Sequence, residues 1–132
     1  MFALFDDAGK FLAGRVMTEA DSSMQIELDS GKRVKVKTAN VMIKFAKPSP
    51  AEVLSQGAAQ AADIDVDLIW EVAPNDEFGF DDLAREYFSA NADAVQQAAM
   101  LMRLFETPHY FHRRCKGRFR KAPEDILKQA LV

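Results

Sequence analysis

Residues that anchor redox and metal chemistry are scarce in this sequence. One cysteine, Cys115, and two histidines, His109 and His112, occur in 132 residues. A lone thiol excludes an internal disulfide and suits a reducing compartment, so a cytoplasmic location is expected. His109, His112 and Cys115 fall one short of the four ligands of a structural zinc site, and in a strand the two histidines would point to opposite faces. Asp63, Asp65 and Asp67 lack the glycine and glutamate of a calcium loop, since Leu68 and Pro74 stand at those places. Gly-x-Ser-x-Gly and Walker motifs are missing. Arg114 and Lys116 beside Cys115 favour a thiolate, but nothing in the sequence supplies it with an oriented base. No catalytic residue, metal site or resident cofactor is therefore expected in this segment. Met1-Phe2-Ala3-Leu4-Phe5 meets Asp6-Asp7 without a basic n-region, so a secretory start is not expected. No apolar run approaches the roughly 20 residues that span a bilayer, so a membrane partner is not expected either.

The chain does hold enough apolar material for a core: 48% of its residues are hydrophobic and 28% are charged. Its length suits one ordinary domain or two very small ones. The formal net charge of -3 hides a layered distribution. Residues 1–47 carry eight Lys/Arg against six Asp/Glu, residues 48–108 two against twelve, and residues 109–132 seven against two. A polyanion would be drawn to the two ends and repelled by the middle.

The first 46 residues read as β-structure. Met24, Ile26 and Leu28 alternate with Gln25 and Glu27, and Val34 and Val36 alternate with Arg33, Lys35 and Lys37. Asp29-Ser30-Gly31 supplies a three-residue hairpin loop that sets Glu27 opposite Arg33 and Gln25 opposite Lys35. Five short strands suggest a small SH3-like β-barrel over 1–47, too small to be very stable alone. Lys47-Pro48-Ser49-Pro50 marks the boundary. Ser49 then caps a helix with Pro50 at its first position and Glu52 in its first turn. Helices follow over 65–73, with Asp63 as cap, over 80–89, and from Asn91 or Asp93 to Glu106. Trp70, Tyr87 and Phe88 lie at helical spacing and are expected in the core. A β-hairpin around Gly117 spans 109–121, and Ala122-Pro123-Glu124-Asp125 opens a last helix. Helices, then a two-stranded hairpin, then a helix is the order of a winged helix, so an α+β chain with a winged-helix (helix-turn-helix) unit over 48–132 is expected.

The hairpin carries the strongest functional signal. If Arg113 pairs with Gly117, Phe111 and Phe119 meet on the inner side. Tyr110, His112, Arg114, Arg118 and Arg120 then share the outer side. Such a strip, with Arg113, Lys116 and Lys121 nearby, suits phosphates and stacked bases of single-stranded RNA, with Tyr110 as the stacking residue. The competing reading is a solvated basic hairpin that balances the acidic middle. Arg33, Lys35 and Lys37 form a second basic strip, which Glu27 partly neutralises.

Three stretches carry a family resemblance: Phe78-Gly79-Phe80-Asp81-Asp82-Leu83-Ala84-Arg85-Glu86-Tyr87-Phe88, Thr107-Pro108-His109-Tyr110-Phe111-His112-Arg113-Arg114, and Lys116-Gly117-Arg118-Phe119-Arg120-Lys121-Ala122-Pro123. With Ser30-Gly31-Lys32-Arg33-Val34-Lys35-Val36-Lys37, the chain resembles the amino-terminal region of bacterial exoribonucleases of the ribonuclease II / VacB (RNB) type. The resemblance implies a 3′→5′ hydrolytic exoribonuclease whose catalytic domain uses clustered aspartates and magnesium in a channel for single-stranded RNA. That domain is expected beyond Val132, in contact with this module, and none of its aspartates maps onto these residues. Well-known members begin with cold-shock OB folds, which this chain replaces, so none of their stacking residues is transferred. Two other functions fit the pattern less well. A DNA-binding winged helix would have to read DNA through residues 94–106, where Arg103 is the lone basic residue. A protein-docking module would use the acidic residues Asp76, Glu77, Asp81, Asp82 and Glu86.

Overall fold

A computed structural model describes residues 1–7, 9–47, 49–114 and 117–124. Strands β1 (Phe2–Asp7), β2 (Lys10–Glu19), β3 (Ser23–Leu28), β4 (Arg33–Lys37) and β5 (Val41–Phe45) form an antiparallel sheet in the order β4-β3-β2-β1-β5. The β3–β4 hairpin has the register that its alternation dictates: Glu27 faces Arg33 and Gln25 faces Lys35. Leu28 and Lys32 close its loop. A short 3-10 turn, Thr38–Asn40, leads from β4 to β5. β4 and β5 are the two edges of the sheet. A closed barrel, as the strand count suggested, is therefore not formed among the described residues.

β1 lies inside the sheet and is apolar on both faces, which is why Phe2-Ala3-Leu4-Phe5 runs without a polar break. Ala3 and Phe5 join Met24, Ile26 and Val36 on one face. Leu4, with Ala13, Ile43 and Phe45, packs on the other face into the same core as the helices.

Among the described residues four helices follow: α1 (Pro50–Ala62), α2 (Val66–Val72), α3 (Phe80–Tyr87) and α4 (Ala94–Glu106). Ser49 accepts a hydrogen bond from the Glu52 amide, so α1 starts where Ser-Pro predicts. Asp93 and Gln96 form a reciprocal capping box at α4. Asp65 caps α2, where Asp63 was expected to; its carboxylate accepts from the Asp67 and Leu68 amides. Asp63 lies at the end of α1 instead. Trp70, Tyr87 and Phe88, expected in the core, are half-buried and pack against its margin. α4 is the centre of that core: Val95, Ala98, Ala99, Met100, Leu101, Met102 and Leu104 are all buried. At 25 cal/mol per Å2 of apolar surface, each large side chain there contributes about 2 kcal/mol.

A second sheet has the order β6-β8-β7, from β6 (Phe78–Gly79), β7 (Phe111–Arg113) and β8 (Arg118–Lys121). The chain is thus mixed α+β: α1 and α2 follow the first sheet, and α3 and α4 lie between β6 and β7 of the second. No helix among the described residues is long and apolar enough to cross a membrane. The last helix expected from Ala122 lies, beyond Glu124, outside the described residues.

Candidate nucleic-acid interface

The basic hairpin forms, in a register two residues from the expected one. Phe111 pairs with Lys121, His112 with Arg120, and Arg113 with Phe119, so Arg113 does not face Gly117. The Arg114 amide donates to the Arg118 carbonyl at 2.7 Å. Gly117 has φ of 73°, and a Cβ there would come within 2.9 Å of the Phe80 ring. Turn geometry and the close packing of Phe80 both demand glycine. A shift of two keeps the pleat in phase, so the two-faced character survives. Phe111 and Phe119 are fully buried, at 1% and 0% exposure, while His112, Arg114, Arg118 and Arg120 are exposed.

Several residues assigned to the outer strip or beside it have other work. Tyr110 is buried, and its hydroxyl donates to the Asp67 carboxylate at 2.9 Å. It precedes β7 in a turn, where strand alternation no longer sets its direction, and it is not available to stack on a base. The hydrogen bond to Asp67, then burial, hold its pKa above the ordinary tyrosine value. Lys121 reaches the Trp70 carbonyl at 3.3 Å and lies 4.9 Å from the Trp70 ring centroid. The Trp70 indole in turn donates to the Ala122 carbonyl at 3.0 Å. These three contacts pin the hairpin to one face of α2. Arg118 pairs with Glu77, Nε to Oε2 at 3.0 Å, and also donates to the Glu77 carbonyl. Arg113 sits over the Phe105 ring, 4.8 Å from its centroid. Lys116 and Cys115 lie outside the described residues.

His112, Arg114 and Arg120 are left as exposed polar groups with no side-chain ion pair among the described residues. On β4, Arg33 shares Glu27 with Arg15, at 3.6 and 3.5 Å, whereas Lys35 and Lys37 are exposed and unpaired among the described residues. β6 is a contributor that sequence reasoning missed. Its Phe78 pairs with Phe119 and brings Glu77 to Arg118. Two residues carry no period, so Phe78-Gly79 gave no strand signal.

The two sheets meet at a groove of about 420 Å3. Asp6, Asn40 and Met42 line it from the first sheet and the turn before β5; Phe105, Arg113 and Arg114 line it from α4 and the hairpin. Among the described residues, no three His, Cys, Asp or Glu side chains are grouped to hold a metal ion. The tempting aspartates have structural duties, with Asp65 on a helix end and Asp67 on Tyr110. The chain matches no family model, no curated protein sequence and no solved structure.

Proposed function

We propose that this chain is an RNA-binding accessory module of a ribonuclease II type exoribonuclease, which guides single-stranded RNA toward a catalytic domain elsewhere in a longer cytoplasmic protein. The observation that carries the reading is the outer face of the hairpin, where Arg114 and Arg120 stand exposed without a carboxylate partner among the described residues. Guanidinium groups left free in this way bind phosphates with little regard for sequence. Lys35 and Lys37 on β4 add a second, weaker anchoring strip. Magnesium, on this reading, belongs to the catalytic domain.

The sheet order β6-β8-β7, with helices before β7 and the hairpin after them, supports a winged-helix reading of the second half. The order β4-β3-β2-β1-β5, with a 3-10 turn before the last strand, supports an SH3-like reading of the first. Duplex DNA fits less well. α4, the helix that would enter a groove, is buried along most of its length. Its one cation, Arg103, donates to the Ile64 carbonyl and pairs with Glu106. Protein docking through the acidic face also loses ground, since Asp81 and Asp82 are engaged by Arg85, and Glu77 by Arg118.

Titration of labelled single-stranded RNA over a salt series tests the assignment. Arg114→Ala with Arg120→Ala should weaken binding and flatten the plot of log affinity against log salt by about 1.4, at roughly 0.7 per phosphate contact on a single strand. Unchanged affinity and slope would refute it.

A further inference from the structure

The groove between the two sheets has chemistry of a different kind on each wall. One wall holds Arg113, whose guanidinium lies over the Phe105 ring, with Arg114 beside it. On the other wall stand the Asn40 amide and the Asp6 carboxylate, which already accepts the Gly9 amide at 2.8 Å through Oδ1. Carboxylate repels phosphate, so a nucleotide can enter in one polarity. Its phosphate would meet Arg114, and its base would lie toward Asp6 and Asn40, against the face of the Arg113 guanidinium turned away from Phe105. The volume falls in the range of roughly 300–1,000 Å3 usual for small-ligand sites, which suits one unpaired nucleotide and not a stacked, paired helix.

We propose that this groove receives a single splayed-out nucleotide of the bound RNA, and so makes the module selective for single strands over duplex. The inference rests on the RNA-binding function proposed above and assigns that function a second, base-contacting site. An amide with one donor and one acceptor group, next to a carboxylate acceptor, can read a Watson–Crick edge that pairing would hide. The outer strip offers only phosphate contacts and cannot make that distinction.

Two variants isolate the groove. Arg113→Lys keeps the charge and loses the planar face. Asn40→Ala lies on an exposed turn of the other sheet, so it cannot act through the hairpin's folding. Affinities are measured for a short single-stranded RNA and for a blunt duplex of the same sequence, with thermal unfolding as a check on folding. Arg113→Lys should lower single-strand affinity about ten-fold, the scale of one lost stacking contact, and Asn40→Ala several-fold. Duplex affinity and the salt slope should not move. If both variants bind single strands like the parent while Arg114→Ala with Arg120→Ala does not, the groove is overturned and the outer strip stands. An equal loss for single strand and duplex also overturns it, because the groove would then act as charge alone. If the parent chain binds no RNA, both proposals fall together.

Discussion

The strip on β4 and the strip on the hairpin look alike in sequence, each an alternating run of cations, and the fold treats them differently. Arg33, Lys35 and Lys37 project from an edge strand; Glu27, directly across the hairpin, reaches Arg33, while Lys35 and Lys37 have no carboxylate partner among the described residues. Charge on an edge also discourages pairing with a further strand, so this strip has a structural use whether or not it meets RNA. The hairpin is richer in cations, yet three of its five described ones serve the fold. Arg118 is tied to Glu77, Lys121 to Trp70, and Arg113 covers Phe105. A count of basic residues overstates the charge available to a ligand wherever distant elements of the chain supply carboxylates, carbonyls and rings.

Three perturbations probe this contrast, from the largest effect down. Phe119→Ala should cost about 3–5 kcal/mol, since the ring is fully buried and packs edge-on against Phe105. Chemical denaturation would measure it, and a cost below about 1 kcal/mol would mean that the hairpin is not seated on the core. Tyr110→Phe should cost about 1 kcal/mol by removing the bond to Asp67. The folded state raises the Tyr110 pKa, so this contribution is complete below about pH 10 and fades as the pH climbs above it. The stability gap between the parent and Tyr110→Phe should therefore be flat to that point and then narrow; a gap that widens with rising pH would contradict the assignment. Glu77→Gln should change stability by at most about 1 kcal/mol, because the Arg118 pair is exposed. It should nevertheless steepen the salt dependence of RNA binding by about 0.7 by freeing one more guanidinium. An unaltered slope would show that Arg118 lies off the path of the strand.

Local rules made much of this legible. The β3–β4 register, the Ser49 cap and the α4 start follow from alternation, a turn glycine and capping chemistry within a few residues of chain. The hairpin's two faces were legible for the same reason, although its register was not, because Gly117 alone does not say how long the turn is. What stayed hidden depends on partners far along the sequence. Tyr110 finds Asp67 across 43 residues, Lys121 finds Trp70 across 51, and Arg118 finds Glu77 across 41. The groove was hidden too, since it exists only where two sheets distant in sequence come together.

The continuous core that joins the first sheet to the helices has a further consequence. Leu4, Ile43 and Phe45 share one apolar interior with Val53, Ala98 and Leu101, so a pivot of one half on the other would expose buried apolar surface. Lys35 and Lys37 on one side and Arg114 and Arg120 on the other are thus held at a constant spacing. A strand that touches both must adopt that spacing, and the length of RNA protected from chemical probing should be the same for every sequence bound. The module would act as a gauge of fixed length, and the flexibility in the complex would reside in the nucleic acid.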